Sequence, residues 1–169
     1  MVTRRPPAPR AATRARPGWS AHDPLRRLLL AILAIGMIGL AAELVLLEHT
    51  EERVQFVPFA ALGLGLISTV LVAVRPGRGT LRWFAGVMAA CVLAGLLGLV
   101  MHYRGNVEFE LEMHPELDGL ALFWEAMRGA TPALAPGALS QLGLLGLAVI
   151  YRHPLLRRPA REPSEEVRS

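Results

Sequence analysis

The sequence has no lysine and only one cysteine, Cys91. A lone cysteine cannot form an intrachain disulfide, and no CxxC, CxxCH or Cys/His grouping at zinc spacing occurs. No GxxxxGK[ST] or GxGxxG follows a strand, so a nucleotide loop is absent; GxSxG and HExxH are absent as well. Serine is scarce outside the tails, which weakens any case for a nucleophile. These absences argue against an enzyme, and no cofactor is expected from the motifs.

What the chain has instead is oil and small residues. Of its 169 residues, 53% are hydrophobic, and 16 are glycine. The apolar residues fall into four runs, at 28–47, 56–74, 83–101 and 132–151, each bounded by charge. About 20 helical residues rising ~1.5 Å each reach ~30 Å, the thickness of a bilayer's hydrocarbon core. Strands would give shorter runs with period-two alternation. The expected fold is all-α: an integral membrane four-helix bundle spanning residues 25–152. Residues 1–24, rich in proline and arginine, and 153–169 are expected to be disordered tails.

Arginine supplies the orientation. Fifteen of the 18 basic residues lie in the N-terminal arm, between runs two and three, or in the C-terminal tail. Only Arg53, Arg104 and Arg128 fall on the other side, which holds nine acids including Glu48, Glu108, Glu110 and Glu112. Arginine without lysine, beside abundant Ala, Gly and Pro, fits a bacterial genome of high GC content, so a bacterial plasma (inner) membrane is expected, and the positive-inside rule then predicts both termini in the cytoplasm. Arginines placed this way attract anionic headgroups and do not argue for nucleic acid.

The outer segment, 103–131, contains two patterns. Val107, Phe109, Leu111 and Met113 alternate strictly with Glu108, Glu110, Glu112 and His114, as in an extended strand with one charged side. From Pro115 onward, Leu117, Leu120, Ala121, Trp124 and Met127 share one helical face. That predicts a short amphipathic helix anchored at the membrane surface by Trp124. Thr131 and Pro132 read as the start of the fourth span, and Pro136 as a kink in it.

Few residues carry chemistry. Glu43 lies inside the first run, about one turn from its outer end, where an ionisable group is costly. It is the candidate intramembrane polar site, with Gln141 of the fourth run. Gln141, Ser140, Ser68 and Thr69 read as hydrogen-bonding glue. His49, His102, His114 and Glu108 all fall on the outer side, where a metal or b-type haem site is conceivable in chemical terms, though no spacing motif supports it. Gly36 and Gly39, Gly86 with Ala90, Ala94 with Gly98, and Gly143 with Gly146 form small surfaces suited to close helix packing.

The leading functional expectation is therefore an accessory or assembly subunit acting through helix association, with the bilayer and other membrane subunits or further copies as partners. A proton- or cation-coupled transporter using Glu43 is one alternative. A haem-, metal- or quinone-linked subunit using His49 and His102 is the other.

Overall fold

A computed structural model describes residues 24–47, 56–129 and 136–156. Within them the chain is entirely helical, with five α-helices and no strand. These are α1 (Pro24–Leu46), α2 (Phe56–Val74), α3 (Arg78–Met113), α4 (Gly119–Arg128) and α5 (Gly137–Ile150), followed by a 3-10 turn at Pro154–Leu156. The first three are each long and apolar enough to cross a membrane. α5 is apolar but has only 14 residues, about 21 Å of helix.

α2 contacts α1 and α3, and α5 closes the group by packing between α1 and α3. Large side chains fill the centre, among them Leu33 and Met37 of α1, Leu62 of α2, and Leu81, Phe84 and Met88 of α3. In lipid the hydrophobic effect gives little drive for helices to associate, so packing density and hydrogen bonds must supply it. The tightest seam joins α3 to α5. A Cβ on Gly143 would lie 2.6 Å from the Met88 carbonyl oxygen, and one on Gly95 would meet the backbone at Ser140 and Pro136. Backbone cannot swing aside, so glycine is what lets these two helices come so close. Ser68 and Thr69 satisfy their hydroxyls within α2, donating to the Gly65 carbonyl at 2.9 and 2.8 Å. Ser140 donates across the seam to the Val92 carbonyl at 2.9 Å.

Three local expectations are corrected. The alternating segment at 107–113 is helix, not strand, and continues α3 to a length of 36 residues, about 54 Å. Alternation was a true feature of the sequence, but a strand needs a partner to take its backbone groups. Among the described residues there is none. A helix already running from Arg78 can instead continue by adding one bond per residue, and Glu, Leu and Met favour this. Phe109, Leu111 and Met113 are consequently exposed.

The amphipathic helix exists, but it starts at Gly119, not at Pro115, after a turn in which the His114 carbonyl accepts the Leu117 N–H. Its apolar residues are divided between two directions. Ala126 is buried, while Leu120 and Trp124 stay exposed. Pro136, finally, stands at the N-cap of α5 and begins that helix instead of kinking it. The expected start at Thr131 and Pro132 lies outside the described residues, as do the two tails.

Candidate functional site

The helices gather charge at opposite ends. One end holds the starts of α1 and α3 and the finishes of α2 and α5, with Arg26, Arg27, Arg75, Arg78, Arg82 and Arg152. The far end holds Glu43 and the length of α3 that carries Glu108, Glu110 and Glu112.

Glu43 is exposed on the outward face of α1, one helical turn beyond Gly39. A Cβ on Gly39 would find nothing within 4 Å, so this face is open. Gln141 is also exposed. Gly36 of α1 faces the Leu142 side chain of α5, which sets the register between the two helices. In that register Gln141 lies roughly 9 Å along the axis from Glu43. The two polar groups share no site.

The histidines expected on the outer side are equally scattered. His102 is half-buried on α3. Glu108 lies six residues on, about 9 Å along the helix and turned roughly 240° around it. His114 caps the same helix about 18 Å from His102, with its Nδ1 3.6 Å from a carboxylate oxygen of Glu116. Among the described residues no group of three or more His, Cys, Asp or Glu side chains is placed to hold a metal ion. His49 lies outside the described residues.

Two arrangements escaped the sequence reading. The first is a clamp at the acidic end. Asn106 of α3 is 2% exposed and donates its Nδ2–H to the Ala126 carbonyl at 2.8 Å. The Tyr103 and Phe123 rings pack beside it with centroids 6.0 Å apart. This clamp holds α4 on the projecting part of α3. A single Asn among charged residues gave no sequence signal of such a role.

The second is at the arginine-rich end. The chain leaving α5 folds back over the helix ends. Arg26, 4% exposed, reaches the Tyr151 carbonyl at 3.4 Å, and Arg78 Nε donates to the Leu155 carbonyl at 2.8 Å. His153 is buried in this closure, and its Nδ1 accepts the Leu155 N–H at 3.2 Å. Burial, and then the neighbouring Arg26 guanidinium, push its pKa below the ordinary histidine value. Beside it a cavity of about 530 Å³ opens between the helix ends. Arg26, Arg27 and His153 stand at its polar end, and Leu30, Val72 and Leu81 line its apolar wall. Arg26 and Arg27 had served only as orientation markers, because which helix ends meet there depends on tertiary packing.

No family model, curated protein or solved structure matches this chain.

Proposed function

We propose that the chain is a four-pass protein of a bacterial plasma membrane, with both termini in the cytoplasm. In this reading it acts without catalysis, as an accessory or assembly subunit through helix association. Arginine sorting supports the orientation, since the basic helix ends and the acidic ones lie at opposite ends of the bundle. The short α5 serves as the fourth crossing, and Leu120 and Trp124 set α4 against the outer headgroups.

The observation that carries the association reading is the outward Glu43. A carboxyl serving a pathway inside one bundle would face the bundle's centre. This one points away, on a face that also carries Ile32, Ile35 and the open Gly39. A carboxyl on a lipid-facing surface is costly, and a neighbouring helix that hydrogen-bonds it removes that cost. Gly39 lets such a helix approach closely.

Native mass measurement in mild detergent, with pull-down from the source membrane, tests the proposal. A particle larger than the 18.3 kDa chain is expected, and Gly39→Leu should dissociate it without lowering the melting temperature, since the position is open. A lone monomer that captures no partner would overturn it.

A further inference from the structure

The cavity at the arginine-rich end has the chemistry of a lipid site. Its walls come from four helices and are mostly aliphatic, from Leu30 and Ala34 of α1 to Val72 of α2 and Leu81 of α3. Along α1 they run from Arg26 to Ala34, about 12 Å of helix. Two guanidinium groups lie at one end, Arg26 held in the closure and Arg27 exposed. Among the described residues none that lines it is acidic.

This combination selects its occupant. Guanidinium groups match phosphate in geometry, and at a partly desolvated rim the attraction exceeds that in bulk water. His153, whose pKa is lowered, adds no competing charge at neutral pH and offers a polar edge. An aliphatic wall continuing from a cationic rim suits a molecule with a phosphate at one end and a hydrocarbon chain at the other. The rim lies where the helices leave the hydrocarbon region, the depth of a headgroup.

We propose that this cavity binds an anionic phospholipid of the leaflet at the arginine-rich end, its phosphate between Arg26 and Arg27 and one acyl chain along the aliphatic wall. The site rests on the membrane reading but not on association, so lipid occupancy and oligomer mass are independent readouts of the same native mass spectra.

The test uses the full chain in detergent, titrated separately with phosphatidylglycerol, phosphatidylcholine and glycerol 3-phosphate. Phosphatidylglycerol should stay bound and raise the melting temperature. Phosphatidylcholine, with matched chains but no net charge, should bind at least about tenfold more weakly, since each basic residue near the surface adds a factor of roughly five for an anionic headgroup. Two variants probe the two halves of the site at exposed positions, with their own melting temperatures checked against the wild type. Arg27→Gln should cost phosphatidylglycerol roughly fivefold. Ala31→Phe, which places a ring in the cavity, should cost both lipids alike. The proposal is overturned if the two lipids bind equally, or if either variant binds phosphatidylglycerol as the wild type does. It is also overturned if glycerol 3-phosphate binds as tightly as the lipid, which would make the site one for a free phosphate ester.

Discussion

His153 is the residue whose chemistry is most constrained by its surroundings. Its Nδ1 accepts a backbone N–H, so the neutral ring carries its proton on Nε2. Protonation would put a second proton on Nδ1, break that bond and leave a cation beside Arg26. Because the folded pKa is lowered, the folded chain holds fewer protons than the unfolded one as pH drops below the unfolded value of about 6.5. The stabilisation is therefore complete above that pH and fades as acid is added. The melting temperature should fall between pH 7 and pH 5. In His153→Asn, whose amide oxygen can accept the same N–H without titrating, the fall should be shallower. Parallel pH curves for the two chains would rule out this role for His153.

Among the elements, α4 depends most on one contact. Replacing Asn106 with Leu removes the bond to the Ala126 carbonyl and leaves that oxygen buried without its donor, at a cost of about 1–3 kcal/mol. The α3 core lies several turns away, so α4 should loosen while the bundle persists. Hydrogen exchange should then accelerate in residues 119–128 and stay unchanged in α2, whereas uniform acceleration would mean that the clamp supports the whole fold.

The elements also mark how far the sequence could be read. The 56–74 run is α2 to the residue, because nineteen residues without a charge, polar only at Ser68 and Thr69, admit little else. The strand expected at 107–114 failed because alternation reports which side chains would share a face, not whether a partner strand exists. The outward direction of Glu43 was not legible. It depends on which face of α1 meets α2 and α5, and α1 is apolar nearly all round. The cavity escaped for the same reason, since its lining is drawn from helix ends far apart in sequence.

At the scale of the molecule, the account depends on three helices long and apolar enough to cross a bilayer and on basic and acidic ends that lie apart. The 36-residue α3 is the most demanding part, because about 54 Å of helix exceeds the ~30 Å hydrocarbon core. In the proposed orientation it projects from one surface, with Glu108, Glu110 and Glu112 on the outer side. The single native cysteine makes this directly measurable. In a Cys91→Ala background, one cysteine is placed at Glu110 or at Gly79, both on α3, and intact cells are treated with a membrane-impermeant maleimide. The account predicts labelling at position 110 in intact cells and at position 79 only after lysis. Labelling at 79 with protection at 110, or equal labelling of both before lysis, would contradict it.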